Sequence, residues 1–156
     1  MVSIHSLAER PELIPTVASW HWDAWGHGDP DGSLAAWVDR LRRKIAVDAA
    51  SASWVAIEDD QPVGCVALTR TDMVTHPELS PWLSALFVVQ ELRGRGLGTT
   101  LVRHCEQAGK ARGYDRLYLY TTTAAGLYLN LGWHETAHER YGAEDVTILA
   151  RDLVAM

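Results

Sequence analysis

Hydrophobic and polar positions along this 156-residue chain change rhythm several times, and each change marks an element. Residues 2–6 fit a short first strand. From Pro11 to about Trp25 the pattern is helical, and it stops at Gly26-His27-Gly28-Asp29-Pro30-Asp31-Gly32, a cluster of helix breakers. Ser33 is placed to cap a second helix, in which Leu34, Trp37, Leu41 and Ile45 recur at helical spacing. Its later turns carry Arg40, Arg42, Arg43 and Lys44, where the helix dipole favours cations. Ser53 to Ile57 and Val63 to Thr69 are apolar runs of strand character on either side of a Glu58-Asp59-Asp60-Gln61-Pro62 turn, which predicts an antiparallel hairpin.

The second half reads just as distinctly. Asp72 to Pro81 is a loop with two prolines, and Trp82 to Val89 is an apolar run of strand character. Arg93-Gly94-Arg95-Gly96-Leu97-Gly98 follows, and Thr99 to Ala108 then reads as helix. Arg116 to Tyr120 is strand-like, Thr121 to Gly126 is a short small-residue segment, and Glu135 to Arg140 and Val146 to Asp152 are two last strands separated by Gly142-Ala143-Glu144-Asp145. The chain shows neither an internal repeat nor a linker, so residues 1–156 are expected to form a single domain, large enough for a proper core.

Composition narrows the class. Apolar residues make up 47% and charged residues 22%, ordinary for a globular protein, and no apolar stretch approaches the roughly 20 residues that span a bilayer. Met1 to Leu7 carries no basic leader, so no signal peptide is expected. Two cysteines, Cys65 and Cys105, make neither a disulfide framework nor a metal motif, and a reducing cytoplasm is the expected location. His134 and His138 are four apart in a strand, where no acid or cysteine cluster completes a site, so no metal is expected. The net charge of −6 argues against nucleic-acid partners and suits a cationic small molecule.

The most informative stretch is the glycine loop between a strand and a helix. Glycine lets the backbone approach a ligand closely, and a helix N-terminus offers unpaired N–H groups with partial positive charge. Together they suit a phosphate or pyrophosphate. The loop is no P-loop, because no Gly-Lys-Ser/Thr follows, and its Gly-x-Gly-x-Gly spacing is not the dinucleotide fingerprint. Its Arg93-x-x-Gly96-x-Gly98 spacing resembles the pyrophosphate loop of the GNAT family of acyl-CoA-dependent N-acyltransferases. Leu127-Tyr128-Leu129-Asn130-Leu131-Gly132-Trp133 resembles a second motif of that family, in the same order along the chain. The likeness covers about residues 53–153.

The resemblance implies an α/β (α+β) fold: a mixed, mostly antiparallel sheet of about six or seven strands, strands four and five splayed, flanked by about four helices. It implies acetyl-CoA as co-substrate, with no metal, and direct attack by a primary amine of a small molecule or peptide. Backbone N–H groups of Arg93, Gly94, Arg95, Gly96, Leu97, Gly98 and Thr99 would bind the pyrophosphate, helped by a guanidinium of Arg93 or Arg95. Main-chain groups of Leu86, Phe87 and Val88 would pair with pantetheine, and an N–H at Phe87 or Val88 would face the developing oxyanion. Tyr128 is the expected general acid for the departing thiolate.

For the amine's base this sequence departs from the family pattern. The strand Trp82-Leu83-Ser84-Ala85 holds no acid, where many family members place a glutamate. Glu78 just before it is the leading candidate, with Asp72 and His76 in the same loop. Acyl transfer through Cys105 is not expected, since nothing adjacent would activate its thiol. Trp22 and Trp25, with Asp23, Asp29 and Asp31, are candidates for the mouth of the acceptor channel. The same tryptophans would also suit core packing or a homodimer interface. Two other readings keep the fold: a transferase for a longer acyl-CoA, and a CoA-binding sensor without turnover.

Overall fold

The computed structural model describes residues 1–30, 32–47 and 52–154. Its strands are β1 (Val2–Ser6), β2 (Ala52–Glu58), β3 (Gln61–Thr69), β4 (Trp82–Val88), β5 (Arg116–Thr121), β6 (His134–Tyr141) and β7 (Glu144–Asp152). Its α-helices are α1 (Ile14–His21), α2 (Leu34–Val47), α3 (Leu97–Ala111) and α4 (Ala125–Asn130). One π-helical turn, Trp22–Gly26, ends the first helical stretch, and the Ser33 hydroxyl accepts the Ala36 N–H at 3.1 Å to start the next. The Asp59-Asp60 turn puts both residues at positive φ, a hairpin turn that aspartate tolerates.

All seven strands lie in one sheet, ordered β1-β2-β3-β4-β5-β7-β6. Neighbours are antiparallel except β4 and β5, which run parallel. Those two share one registered pair, Trp82 with Tyr118, next to the bond from the Tyr118 N–H to the Pro81 carbonyl at 3.0 Å. Beyond that pair they part, and the sheet is split along its middle. This is the splayed, mixed seven-stranded sheet with four helices that the sequence resemblance implies.

Both faces of the sheet are covered, and the strand alternation assigns residues to each. Trp54, Ala56, Val66, Leu68 and Leu83 pack with Leu97, Leu101, Val102 and Cys105 of α3. Val55, Ile57 and Cys65 point the other way, into a cluster with Ile14, Val17 and Ala18 of α1 and Leu41 of α2. Leu34, at the helical period of α2, nevertheless stays 40% exposed, because it lies in the first turn, ahead of that packing. A third cluster joins Met73 of the β3–β4 loop to Trp82, Val146 and Ile148 at the narrow end of the split, where Trp82 still pairs with Tyr118.

One irregularity shapes the split itself. Cys65 pairs with Phe87 and Ala67 with Ser84, so two residues of β4, Ala85 and Leu86, stand opposite the single residue Val66. Ala85 takes φ 55° in this bulge. A bulge adds twist and turns the following backbone out of the ladder, which bends β4 away from β5 just where the two stop pairing.

Candidate active site

At the wide end, β4 runs through a short 3-10 turn, Gln90–Leu92, into the glycine loop and α3. Gly94 (φ 81°) and Gly96 (φ 83°) sit in the left-handed region, which favours glycine. Gly98 does not, and a Cβ there would meet nothing nearer than the Val88 Cγ2 at 4.0 Å. Neither backbone strain nor packing asks for glycine at that position. Among the described residues no side chain caps α3, so its first-turn N–H groups meet no side-chain acceptor there. The missing Cβ at Gly98 keeps the space in front of them clear.

The two arginines of the loop differ. The Arg93 Nε donates to the Val88 carbonyl at 2.9 Å, and its guanidinium carbon lies 5.6 Å from the Phe87 ring centre, so this side chain folds back on β4. Arg95 is exposed and lines, with Glu58, Leu92 and Thr100, a hollow of about 200 Å³. Leu97 is buried into the α3 cluster.

The end of β4 shows which backbone groups face the split. The Phe87 carbonyl lies 2.9 Å from a Cβ built on Gly64 of β3, and the Val89 N–H donates to the Val63 carbonyl at 3.0 Å. Those residues therefore pair with β3, and by the alternation of a strand Leu86 and Val88 turn theirs toward the split. Of the trio Leu86, Phe87 and Val88, the middle residue commits its backbone to the sheet and stacks its ring on Trp20, centroids 5.2 Å apart. The Cys65 thiol donates to the Ala85 carbonyl in the bulge at 3.4 Å and touches His21 Nε2 at 3.6 Å. Burial pushes the thiol's pKa up and draws His21 down to about 4, with Lys44 adding to the latter, so both groups are neutral near pH 7. The Cys105 thiol, fully buried, is likewise pushed up, first by burial and then by Glu106.

Tyr128 stands across the split on α4. It is 6% exposed, and its ring meets Trp133 edge-on with centroids 5.9 Å apart. Burial, then the neighbouring Cys105, raises its phenol to about 12, so it holds its proton at any physiological pH. Among the described residues no side chain or carbonyl takes its hydroxyl as a hydrogen-bond donor.

On the acceptor side, Glu78 is 64% exposed and is held by His76, whose Nδ1 lies 3.0 Å from it while Nε2 reaches Glu139 at 2.7 Å. That hydrogen bond lowers the Glu78 pKa. Asp72 is the opposite case: burial raises its carboxyl to about 6, with Lys44 pulling the other way. Asp72 also acts electrostatically on Tyr120, whose phenol is raised to about 12, first by burial. Tyr120 lies two residues past Tyr118 on β5, beyond the last pair with β4, and Asp72 is near enough to act on it, whereas Glu78 faces solvent. Trp25 is 52% exposed, its ring 5.7 Å from that of His21. Trp22 is tied inward, its Nε1 donating to the Gly32 carbonyl at 2.9 Å. Asp29 accepts from Trp37 and pairs with Arg40, both at 3.3 Å, and Asp23 lies 4.0 Å from His27. Asp31 lies outside the described residues.

Two groups escaped the sequence reading. Glu106 is a fully buried carboxylate on α3, and the signal was its position four residues after Val102 and three before Gly109, on the buried face. His21 closes the first helical stretch, and nothing in its local sequence marks it, because its contacts come from β3.

The family model described as "Acetyltransferase (GNAT) family" matches residues 14–133 of this chain. Among curated proteins, N-acetyltransferase 8B of Homo sapiens is 34% identical over 110 residues, which is 68% of this chain and 48% of that protein. "Probable N-acetyltransferase 14" of Xenopus tropicalis is 34% identical over 88 residues, 53% of this chain and 41% of that protein. The chain thus spans about half the length of the curated relatives it matches. Among solved structures, an aminoglycoside 6'-N-acetyltransferase complexed with coenzyme A superposes with a TM-score of 0.77 at 15% identity, covering 97% of both chains. Spermidine/spermine N-acetyltransferase SpeG from Vibrio cholerae, in complex with manganese ions, gives 0.74 at 17% identity, covering 97% of this chain and 92% of that one. At such identities these two likenesses speak for the fold alone. Among the described residues no helix is long and apolar enough to cross a membrane.

Proposed function

This chain belongs to the GNAT family of acetyltransferases, and on that premise we propose that residues 1–156 form one domain that moves an acetyl group from acetyl-CoA to a primary amine of a small molecule or peptide, both bound together. The observation that carries the cofactor half is the start of α3, uncapped and kept clear at Gly98. Backbone N–H groups from Arg93 to Thr99 hold the pyrophosphate there, and exposed Arg95 adds a guanidinium. Pantetheine lies along the split, against Leu86 and Val88, with the Phe87 side chain beneath. The bound thioester supplies an acyl carbon open to attack by the amine nitrogen. A β4 N–H, at Leu86 or Val88, donates to the thioester oxygen, where charge builds. As the new C–N bond forms and the C–S bond breaks, the Tyr128 hydroxyl gives its proton to the sulfur.

The amine must lose a proton. A carboxyl raised to about 6 is matched to take it near neutral pH, and a lowered one is not. Asp72 therefore displaces Glu78 as the candidate base, acting directly or through water. Exposed Trp25 forms part of the acceptor mouth, with Trp22 behind it fixing the loop. The net charge of −6 favours cationic acceptors. Spermidine, spermine and aminoglycosides, named with the structural neighbours, head the panel to try. Two cysteines, both buried and unpaired, fit a reducing cytoplasm.

Calorimetric titration with acetyl-CoA, followed by thiol release with that panel, tests the reading. Binding with a Kd of about 1–50 μM and amine-dependent thiol release are expected, at turnover rates typical of enzymes. No binding of acetyl-CoA sinks the donor assignment and moves the search to longer acyl-CoAs. Binding with no turnover on any amine, and with CoA held as tightly as acetyl-CoA, makes the chain a CoA-binding module.

A further inference from the structure

We propose that Glu106 is a positioning residue that fixes the Tyr128 hydroxyl through the Leu131-Gly132-Trp133 turn; this rests on Tyr128 being the proton donor proposed above. Helix α4 spans six residues, too short to hold its own orientation, and among the described residues no side chain caps its N-terminus. Tyr128 must therefore be held from outside its helix. The turn that follows does this. The Trp133 N–H donates to the Tyr128 carbonyl at 3.0 Å, and the Trp133 ring meets the Tyr128 ring edge-on.

That turn is itself bound to one buried carboxylate. Glu106 is 0% exposed. Its Oε2 accepts the Trp133 Nε1 proton at 2.9 Å. Arg103 Nη1 donates to both of its oxygens, at 2.9 and 3.2 Å, and also to the Leu131 carbonyl at 3.0 Å. Arg151 of β7 places Nε 3.8 Å from Oε2 and donates from Nη1 to the Gly132 carbonyl at 2.9 Å. Two consecutive carbonyls at the end of α4 are thus gripped by guanidinium groups that Glu106 itself holds in place. Three elements meet at this carboxylate: α3, the turn after α4, and β7.

Stability alone is a weak reason for such a group. A buried ion pair roughly breaks even against a well-packed apolar residue, and Arg151 Nε is buried here without a hydrogen-bond partner among the described residues. What the charges do supply is direction, because each donor fixes a carbonyl or an indole within hydrogen-bonding tolerance. The ring that this indole meets belongs to Tyr128, the one tyrosine of α4 and the proton donor proposed above. Among the described residues Glu106 bonds Arg103 and Trp133 and not Tyr128 itself, so it acts on the phenol through them.

The test uses Glu106→Gln and Arg103→Met, each alone and combined with Tyr128→Phe, with thermal melts recorded for every variant. Glutamine keeps an acceptor for Trp133 and loses the charge. Arg103 is 43% exposed, so its replacement releases the Leu131 carbonyl without opening the core and carries the test if the glutamine variant does not fold. In protein labelled with ¹³C-tyrosine, five ring signals are expected, and Tyr128→Phe identifies the one in question. Both variants should move or broaden that signal while leaving the other four. With an amine acceptor, each should lower kcat about tenfold, change the KM for acetyl-CoA less than about twofold, and cost nothing further in the Tyr128→Phe background. A Tyr128 signal that stays in place overturns the proposal, and so do equal losses of kcat in both backgrounds. If Tyr128→Phe alone leaves kcat unchanged, the proton-donor reading fails first, and the ring signal still reports whether Glu106 fixes the ring.

Discussion

The loop before α3 and the turn after α4 both place glycine at a helix terminus, yet their surroundings are opposite. Around Gly94, Gly96 and Gly98 there is empty space: a Cβ at the first two would meet nothing within 4 Å, and at the third only the rim of Val88. At Gly132, with φ 96°, a Cβ would land on the Arg151 guanidinium. One glycine motif is shaped for something that comes from outside, and the other is packed against the protein's own side chains. The lesson is that a glycine's neighbours separate a binding role from a framework role, and that the two should fail differently when changed.

Gly132→Ala should produce the larger effect. The substitution adds a left-handed penalty and displaces Arg151 from the Gly132 carbonyl and from Glu106, so a stability loss of about 3 kcal/mol is expected in urea unfolding. A loss below about 1 kcal/mol would mean that the turn relaxes freely, and the contrast with the loop would collapse. Acetyl-CoA binding should survive in whatever fraction stays folded, because the cradle at α3 shares no contact with this turn.

Gly98→Leu probes the other half. The residue lies in the first turn of α3 with helical backbone and open space beside it, so the unfolding midpoint should hold or rise slightly. The new side chain would occupy the space in front of the uncapped N–H groups, and the Kd for acetyl-CoA should rise about 50-fold, or roughly 2.3 kcal/mol. Unchanged affinity in a folded variant would remove the cradle from the cofactor site.

This contrast also explains what the sequence made legible. Backbone sites leave glycine spacing behind, so the loop from Arg93 to Gly98 and the Leu131-Gly132-Trp133 turn stood out as motifs, and with them the order of strands and helices that the fold follows. The splayed pair β4 and β5 came through the family likeness; the bulge at Ala85 that accompanies it has no residue signature, since alanine is not chosen for positive φ. Side-chain sites assembled from distant segments were harder to see. Asp72 and Glu78 look alike in one loop, and only burial near Tyr120 against an ion pair with His76 tells them apart. Glu106 was visible in principle, a charge on the apolar face of an amphipathic helix, but its partners beyond Arg103 are 27 and 45 residues away in sequence.

If backbone, framework and a phenol that stays protonated account for the cofactor half, a side chain that titrates near neutral pH should matter only on the acceptor half, and Asp72 is where the smallest predicted effect tests that division. Its carboxyl is raised to about 6 in the fold, against about 4 in an unfolded chain. Between those values the native state holds the proton that the unfolded state has lost, so stability falls as pH rises from about 4 to 6 and stays lower above that window. Asp72→Asn should therefore gain about 1 kcal/mol over the parent at pH 7.5 and nothing at pH 4. His21 works in the opposite sense: held near 4 in the fold, it makes stability fall as pH drops from about 6.5 toward 4. The two trends overlap in the parent protein, and only the difference between parent and Asp72→Asn melts isolates the carboxyl. In activity, the parent's rate should climb as pH passes about 6, and Asp72→Asn should lose that limb together with about tenfold in kcat, its acetyl-CoA affinity unchanged. A variant that is more stable at pH 7.5 yet keeps the parent's pH–rate profile would confirm the burial of Asp72 and move the amine's proton to Glu78 or to water.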